Sequence, residues 1–475
     1  MLLYKIMIYF LSKMCKIEIM DNEGGITMGF SKDFIWGAAA AAYQIEGAYN
    51  EDGKGLNIWD VYAGHNGNTR FNEVGDVACD HYHRMKEDVA LMKEMGLKAY
   101  RFSVSWARVI PEGVGAVNEK GLKFYSDLVD ELLKQGIEPI VTLFHWDYPY
   151  ALHRKGGWRN DESSEWFLEY AKVIVDALSD RVQYWGTLNE PQCFIGCGNL
   201  VGEHAPFDKL PARDLLIMGR NVLLAHGKTT RYIRQNAKKK AYIGYSPIAP
   251  AYIPKDNSKE AIEEAKAKTF SSGGDRFVFS ITYWSDPIFL GRYPQDLLDQ
   301  YGDLVPEFTK EEWELVTEPL DYYGANIYYS SADKHGNAYP DNWSQGVAHT
   351  HINWVLAPEV MYWSSKFIYE RYGKPIFITE NGMAEHDWVC LDGKVHDTYR
   401  IDYTHRYLKE FKKAADEGVG LFGYLHWSVM DNYEWAHGYN QRFGLVYVDY
   451  ATQERIMKDS AYWYKRVIES NGENL

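Results

Sequence analysis

Eight short apolar runs alternate with amphipathic segments along almost the whole chain, and this alternation restricts the fold more than any other feature. Each run ends in polar or aromatic residues. The eight runs are Phe34–Gln44, Ala99–Trp106, Pro139–Trp146, Val182–Glu190, Ala241–Pro250, Tyr322–Tyr329, Pro375–Glu380 and Leu421–Asp431. Strands that alternate with helices form parallel sheets with helices packed on them, so the chain is predicted to be an α/β protein.

Several of the intervening segments have the periodicity of helices, with apolar residues three and four positions apart. The clearest are His81–Met95, Glu119–Gln135, Glu165–Leu178 and Tyr399–Ala415. Asp161 is the expected N-cap of the third helix. The fifth and sixth runs are too far apart for a single crossover connection. Further helices are therefore predicted in that interval, at Ala261–Phe270 and Glu311–Val316.

A closed barrel and an open, doubly wound sheet both fit this alternation. The open sheet is disfavoured because no Gly-x-Gly-x-x-Gly turn follows a run. Polar side chains also end most of the runs, whereas an open sheet concentrates its ligand site at one switch point. The prediction is therefore a single-domain (β/α)8 TIM barrel over residues 29–475, with loop insertions on the C-terminal face of the barrel.

Residues 1–28 differ from the rest of the chain and are expected to be an N-terminal extension outside the core. Met1–Leu11 is apolar but too short to span a bilayer, and no small-residue cleavage site follows it. We favour a false upstream start, with Met28 as the natural beginning. A leader or short membrane-associating segment is the alternative interpretation.

The charge balance argues against polyanionic partners. The 475-residue chain has 51 Lys and Arg against 66 Asp and Glu, a net charge of −15. Such a surface repels phosphate backbones and anionic lipid, so neither nucleic acid nor membrane is an expected partner. A neutral polyol substrate fits this charge.

The cysteines are few and odd in number, which implies no disulfide framework. Free thiols in a reducing cytoplasm are the expected state, and the chain is predicted to be cytoplasmic. The five residues are Cys15, Cys79, Cys193, Cys197 and Cys390.

Chemically versatile side chains stand near the ends of the runs, where a barrel places its active site. They are Gln44, Arg101, His145, Asn189, Glu190, Asn326, Tyr328, Glu380 and Trp427. Glu190 and Glu380 each follow a short apolar run and lie beside an asparagine. Two carboxylates that face one pocket are what glycoside hydrolysis requires. No metal or cofactor is predicted, because His145 has no second histidine at ligand spacing.

Each of these residues also has an ordinary structural interpretation. Either glutamate taken alone is as compatible with a solvated loop carboxylate as with a catalytic role. His145 alone is typical of a packing histidine, and Arg101 of a buried salt-bridge arginine. Trp427 and Trp435 are compatible with simple core packing. The two glutamates in matching contexts favour the catalytic interpretation.

The sequence resembles glycoside hydrolase family 1, the β-glucosidase family, from Phe30 to about Ile468. Each motif is moderately specific, and their common order along the chain is very specific. The motifs are Phe34–Ala38, Tyr43–Gly47, Tyr100–Trp106, Phe144–Asp147, Thr187–Pro191, Ile378–Gly382 and Trp427–Trp435.

The resemblance implies a role for each matching position. It implies a retaining, exo-acting β-glycosidase with Glu190 as acid/base and Glu380 as nucleophile, and Arg101 and Tyr328 are expected to keep the pKa of Glu380 low. Arg101, Asn326 and Tyr328 match residues that orient the nucleophile. The matching sugar-binding positions are Gln44, His145, Asn189, Trp427, Glu434 and Trp435. Small β-glucosides or oligosaccharides are the implied substrates.

The same resemblance separates the possible substrates. The branch of the family that cleaves 6-phosphosugars has a small residue at the place of Glu434, so an unphosphorylated glucoside is expected, with galactosides and fucosides as further candidates. A 6-phospho-β-glucosidase, a non-catalytic sugar-binding relative and a transglycosidase are the alternatives. Gln192 stands where a tryptophan is common, which predicts a less aromatic leaving-group side.

Overall fold

The computed structural model of the chain describes residues 29–330 and 346–475. Eight strands form one sheet in the order β5-β4-β3-β2-β1-β8-β7-β6, and every neighbouring pair is parallel. Their bounds are β1 Ile35–Ala40, β2 Ala99–Ser103, β3 Glu138–Phe144, β4 Tyr184–Asn189, β5 Tyr242–Ser246, β6 Tyr323–Asn326, β7 Ile376–Asn381 and β8 Leu421–Trp427.

The ring closes between β5 and β6 through a short stretch of backbone. Ile248 and Asn326 form a parallel bridge. The Asn326 N–H donates to the Pro247 carbonyl at 3.0 Å, and the Ala249 N–H donates to the Asn326 carbonyl at 3.0 Å. The predicted α/β fold, a (β/α)8 TIM barrel, is therefore confirmed.

Helices surround the ring, and the predicted ones are present within one or two residues of their expected ends. The longer helices are His81–Glu94, Glu119–Lys134, Ser163–Leu178, Gln192–Val201, Ala212–Asn236, Lys259–Thr269, Ile281–Leu290, Gln295–Tyr301, Lys310–Val316, Glu359–Tyr372, Thr398–Asp416 and Asp459–Glu469. Short helical segments lie at Ala42–Ile45, Ile58–Tyr62, Arg70–Asn72, Trp106–Val109, Tyr150–His153, Gly157–Arg159, Phe277–Phe279, Gly302–Leu304 and Trp435–Asn440. A small antiparallel pair, Val446–Val448 with Arg455–Met457, follows the barrel.

The predicted N-cap at Asp161 is wrong. The helix begins at Ser163 with Glu162 in the cap position, two residues earlier than the apolar periodicity indicated. The Asn160 side chain provides the local acceptor, because its Oδ1 accepts a hydrogen bond from the Glu162 N–H at 2.9 Å.

The inward faces of the helices bury the residues that periodicity selected. On Ser163–Leu178, the side chains of Phe167, Tyr170, Ile174 and Leu178 are completely buried. This packing fixes each helix against the sheet and holds the strand ends, which carry the site, in place.

Residues 1–28 lie outside the described residues, as does Cys15. Within the described ranges, no helix is both long and apolar enough to cross a membrane. Cys79 is a buried free thiol, and Cys193, Cys197 and Cys390 are free thiols that are partly exposed.

Candidate active site

Two buried glutamates lie at the carboxyl ends of β4 and β7. Glu190 directly follows β4, and Glu380 is the next-to-last residue of β7. Their exposed fractions are only 6% and 3%. Glu190 has a left-handed backbone, with φ of 44°, which costs about 1–3 kcal/mol in a residue other than glycine. Such strain concentrates at functional sites, where the surrounding structure holds it in place.

Glu380 is held by a cation and a phenol. The Arg101 guanidinium donates to its Oε1 at 2.6 Å, and the Tyr328 hydroxyl donates to its Oε2 at 2.7 Å. Arg101 lies in the middle of β2, not at its end as the runs suggested. The Thr142 hydroxyl and the Asn189 side chain accept hydrogen bonds from the same guanidinium, at 2.9 and 2.6 Å, and fix its plane.

Asn326 connects the two glutamates. Its amide nitrogen donates to Glu190 Oε1 at 2.7 Å, and its side chain also lies close enough to Glu380 to lower the pKa of that carboxyl. The Thr379 hydroxyl donates to the Asn326 side-chain oxygen at 2.7 Å, which fixes the orientation of the amide. Both carboxyl groups therefore face one amide at the top of the barrel.

The two carboxyls differ in their electrostatic surroundings. Burial, and then the negative charge of Glu380, raises the pKa of Glu190 to about 8. Burial also raises the pKa of Glu380, while the Arg101 and Tyr328 contacts oppose that rise. The low pKa expected for Glu380 is therefore not found, because burial outweighs both donors. The cation nevertheless contacts Glu380, which favours the charge on Glu380 and the proton on Glu190.

A third carboxyl, that of Glu434, and the amide of Gln44 form a polar wall of the site. The Gln44 amide donates to the Asn432 side chain at 3.0 Å, to the Tyr433 carbonyl at 2.8 Å and to the Glu434 carboxyl at 3.2 Å. Burial, followed by the charge of Glu380, raises the pKa of Glu434 to about 8. Gln44 Oε1 is buried without a hydrogen-bond partner among the described residues. Such an atom is suited to accept a hydrogen bond from a ligand hydroxyl.

His145 offers a second atom of this kind. Its Nε2 is 3.1 Å from the Asn189 amide nitrogen, and its Nδ1 is buried with no partner in the part of the chain that the structure describes. Burial and the nearby Arg101 hold the pKa of His145 well below its usual range. The imidazole is therefore a neutral hydrogen-bonding group at physiological pH.

Aromatic rings form the remaining wall of the site. The Trp435 ring lies 4.5 Å from Trp146 and 5.9 Å from the parallel ring of His145. His145 also stacks on Trp427 at 5.7 Å. Apolar ring faces beside neutral polar atoms are the composition expected for binding a sugar, whose C–H faces are apolar and whose edges are hydroxyls.

Known proteins resemble this chain in sequence and in architecture. Residues 26–473 match glycosyl hydrolase family 1. The chain belongs to that family. It is 42% identical to Beta-glucosidase A of Thermotoga maritima, over 93% of this chain and 98% of the relative. It is 43% identical to Beta-glucosidase A of Acetivibrio thermocellus, over 93% of this chain and 99% of the relative.

Solved structures agree with the sequence comparisons. The beta-glucosidase from Thermotoga maritima in complex with glucoimidazole aligns with a TM-score of 0.85 at 40% identity, over 94% of this chain and 100% of that one. The same enzyme in complex with galacto-hydroximolactam aligns with a TM-score of 0.86. This family 1 protein is therefore a glycosyl hydrolase enzyme with the TIM fold.

All the site residues named from the sequence of this family 1 enzyme meet in one cluster. Contacts or electrostatic interactions link Glu190, Glu380, Arg101, Asn326, Tyr328, Gln44, His145, Asn189, Trp427, Glu434 and Trp435. Sequence reasoning did not assign roles to Thr142, Thr379, Trp146 and Asn432. Trp146, Asn432 and Thr379 lie inside recognised motifs, whereas Thr142 does not. The two threonines act only through Arg101 and Asn326.

Gln192 is the first residue of the helix that follows β4 and Glu190. Its side chain is completely buried. The amide donates to the Ile248 carbonyl at 3.0 Å, and Oε1 accepts from the Ile248 N–H at 3.3 Å. Gln192 thus joins the β4 loop to the backbone that follows β5. The less aromatic leaving-group side stays a prediction.

Removal of the Tyr328 hydroxyl should move the acid limb of the pH–rate profile. In Tyr328→Phe, ionised Glu380 loses one donor, so its pKa rises and the acid limb moves to higher pH by about 1–2 units. The profile of kcat/KM against pH measures this shift. Tyr399→Phe, at a largely exposed tyrosine, is the matched control and should leave both limbs in place. An unmoved acid limb in Tyr328→Phe would contradict the assignment of that limb to Glu380.

Proposed function

We propose that this enzyme is a retaining, exo-acting β-glucosidase that hydrolyses terminal, non-reducing, unphosphorylated β-D-glucosyl residues through a covalent glycosyl-enzyme. One observation carries the proposal: two buried carboxyls share Asn326, while the Arg101–Tyr328 pair contacts only Glu380 of the two. That asymmetry assigns a different chemical role to each carboxyl. The names of the bacterial relatives support the glucosidase activity.

In the first step, Glu380 attacks the anomeric carbon while Glu190 gives its proton to the leaving oxygen. A pKa of about 8 keeps Glu190 protonated at neutral pH, as a general acid requires. Arg101 and Tyr328 fix the orientation of the Glu380 carboxylate for attack on the anomeric carbon. The glycosidic bond breaks as the ester to Glu380 forms, and the aglycone departs as a neutral alcohol.

In the second step, Glu190 acts as a base toward water. The ester on Glu380 carries no charge, so the electrostatic cause that raises the pKa of Glu190 is removed. Glu190, which gave its proton to the aglycone in the first step, therefore stays a carboxylate and accepts a proton from the attacking water. Water adds to the anomeric carbon, the ester bond breaks, and the product retains its β configuration. A separation of about 5–5.5 Å between the carboxyl groups is the requirement for this pathway.

The wall formed by Gln44 and Glu434 suits a glucose ring without a phosphate. Gln44 and Glu434 present an amide oxygen and a carboxyl, which suit hydroxyl groups. A phosphate dianion in this place would need cations to replace its water, and these two side chains supply none. A 6-phospho-β-glucosidase is therefore disfavoured. A non-catalytic sugar-binding relative is disfavoured because both glutamates are present.

A panel of nitrophenyl β-glycosides tests the proposal. We expect turnover of the glucoside, lower or similar turnover of the galactoside and fucoside, and a kcat/KM for the 6-phosphoglucoside at least about 100-fold lower, equal to about 2.7 kcal/mol. Preferred cleavage of the 6-phosphoglucoside would overturn the substrate assignment. Absence of turnover on the whole panel would favour the sugar-binding alternative.

Glu434→Gln tests the wall that Gln44 and Glu434 form. The amide has the shape of the carboxyl but replaces one of its oxygens with an NH2 group, which cannot accept a hydrogen bond from a ligand hydroxyl. The kcat/KM for the glucoside should therefore fall about 10- to 100-fold. Glu73→Gln, at a glutamate on a different loop, is not a suitable control because Glu73 accepts the Tyr439 N–H beside this site. Glu203→Gln, at an exposed glutamate, is the matched control and should keep the activity of the parent. Equal activity of Glu434→Gln and the parent would contradict the role of Glu434.

A further inference from the structure

Among the described residues, six charged side chains form a network between the segments that follow β7 and β8. Three are carboxylates and three are cations, so their charges balance. Five of these side chains are at most 2% exposed, and that of Arg442 is 16% exposed. The members are Asp387, Asp397, Arg400, Asp431, Arg442 and Lys458. Charges buried to this depth are tolerated only when they are paired, so each member depends on its partners.

Lys458 contacts both segments. Its Nζ donates to Asp387 Oδ2 and to Asp431 Oδ1, each at 2.6 Å. Asp387 comes seven residues after Glu380 in the chain, and Asp431 comes three residues before Glu434. The buried ammonium therefore links the segment that follows the proposed nucleophile to the segment that carries the polar wall of the site.

Two arginines hold the same carboxylates from their other sides. Arg400 donates to Asp387 Oδ2 at 2.7 Å, and Arg442 donates to Asp431 Oδ2 at 2.6 Å. Burial opposes the charge on Asp387, but Lys458 and Arg400 outweigh it and lower the pKa of this carboxyl to about 2. The ammonium of Lys458 is thus held between two carboxylates that would otherwise repel each other.

The two segments also touch directly through their backbones. A Cβ atom at Gly382 would lie 1.9 Å from the Trp427 carbonyl oxygen, so only glycine permits this approach. The Glu385 N–H donates to the Arg442 carbonyl at 3.1 Å. The contact thus extends from Gly382, beside the nucleophile, to Asp387 at the ammonium. A displacement at Asp387 would therefore change how the two segments pack beside the site.

We propose that Lys458 is a positioning residue, whose ammonium holds the Asp387 and Asp431 segments together and thereby fixes the Glu434 wall relative to Glu380. This inference rests on the proposed function, since it takes Glu380 as the nucleophile and Glu434 as a sugar-binding group. Lys458 acts through the two aspartates. Without it their carboxylates repel each other, and the wall moves relative to the nucleophile. A misplacement of about 1 Å in such a site costs about 100-fold in rate.

Lys458→Met tests the link, because methionine fills a similar space without a charge or a donor. The unfolding temperature should fall, and kcat/KM for the nitrophenyl glucoside should fall about 10- to 100-fold at a temperature where the variant is folded. Arg371→Met is the matched control, since it removes the cation from buried Asp286 between the helices Ile281–Leu290 and Glu359–Tyr372. It should lose stability but keep its kcat/KM. An unchanged kcat/KM in folded Lys458→Met would overturn the proposal.

The double variant Lys458→Met/Asp387→Asn separates positioning from stability. It removes one cation and one anion, so the buried charges balance again and part of the lost stability should return. The link between the segments is still absent, so kcat/KM should stay low. Recovery of kcat/KM together with the unfolding temperature would show that Lys458 only stabilises the fold, and would overturn the proposal. This variant is compared directly with the parent if Lys458→Met does not fold.

Binding of D-glucose separates this proposal from the proposed function. Trp427 and Trp435 lie in the site, so tryptophan fluorescence follows binding without turnover. The Kd for glucose should be about 10-fold higher in the double variant than in the parent. An active parent whose double variant binds glucose equally well would overturn the positioning role alone. Weaker binding in the double variant of a parent without glycosidase activity would instead overturn the proposed function and leave the positioning role intact.

Discussion

Glu380→Gly should lose nearly all turnover of β-glucosides, by about 10⁵-fold or more in kcat, because the nucleophile is absent and no glycosyl-enzyme can form. The same change leaves Arg101 buried without its carboxylate. Removal of one partner from a buried ion pair typically costs about 3–5 kcal/mol of unfolding free energy. The variant should therefore be both inactive and less stable, and thermal unfolding must be measured beside the kinetics.

Azide should restore activity to this variant and report the stereochemistry. The small anion fits the space left by the Glu380 side chain, next to Arg101, and can attack the anomeric carbon from the same face. With a dinitrophenyl β-glucoside, a single displacement gives the α-glucosyl azide. NMR of the product distinguishes the two anomers. Because azide also supplies the missing negative charge, it should raise the unfolding temperature of the variant.

A nearby glutamate provides the control for Glu380. Glu385 lies five residues further along the chain, and its carboxyl accepts a hydrogen bond from the adjacent His386 N–H. Glu385→Gln should keep the activity and the azide insensitivity of the parent. Substantial activity of Glu380→Gly without azide, or a β-glucosyl azide as its product, would contradict the assignment of Glu380 as nucleophile.

The fold could be predicted from the sequence because its signal is repeated. Each strand–helix unit is a weak indication, but eight of them in one uninterrupted domain leave few architectures. The helix around Tyr170 shows the limit of this reasoning. Its buried face followed from periodicity, whereas its start did not. The Asn160 side chain accepts the N–H of the cap residue Glu162, and Asp161 does not cap the helix. Helix starts depend on which of several short polar side chains is turned toward the backbone.

The grouping of the candidate site residues could be predicted from the sequence, but their energetics could not. Strand ends located Glu190 and Glu380, but sequence could not supply the depth of burial that raises the pKa of Glu380 despite Arg101. Gln192 is a similar case. The sequence placed Gln192 on the leaving-group side but did not indicate that its amide hydrogen-bonds the Ile248 backbone. Side-chain direction on an irregular helix depends on tertiary hydrogen bonds that no local pattern records.

Glu190→Gln should have an effect that depends on the leaving group. Alkyl glucosides and cellobiose need a proton on the departing oxygen, so their kcat/KM should fall by about 10²–10⁴-fold, the usual contribution of a general acid. A dinitrophenyl glucoside needs no proton, and its first step should be nearly unchanged. Its second step lacks the base and should slow, which predicts a burst of dinitrophenol followed by slow release. Stopped-flow absorbance resolves the two phases.

The pH dependence of the first step provides a second test of the proton donor. In the parent, Glu190 must be protonated for the first step, so activity should fall as pH rises through a value near 8. In Glu190→Gln the first step with a dinitrophenyl glucoside should have no alkaline limb, while the acid limb, set by Glu380, stays. Exposed Glu203→Gln, on the following loop, should behave as the parent does. An intact alkaline limb in Glu190→Gln, or equal losses for leaving groups of low and high pKa, would contradict the assignment of Glu190 as the proton donor. The asymmetry between the two carboxyls would then no longer explain retention.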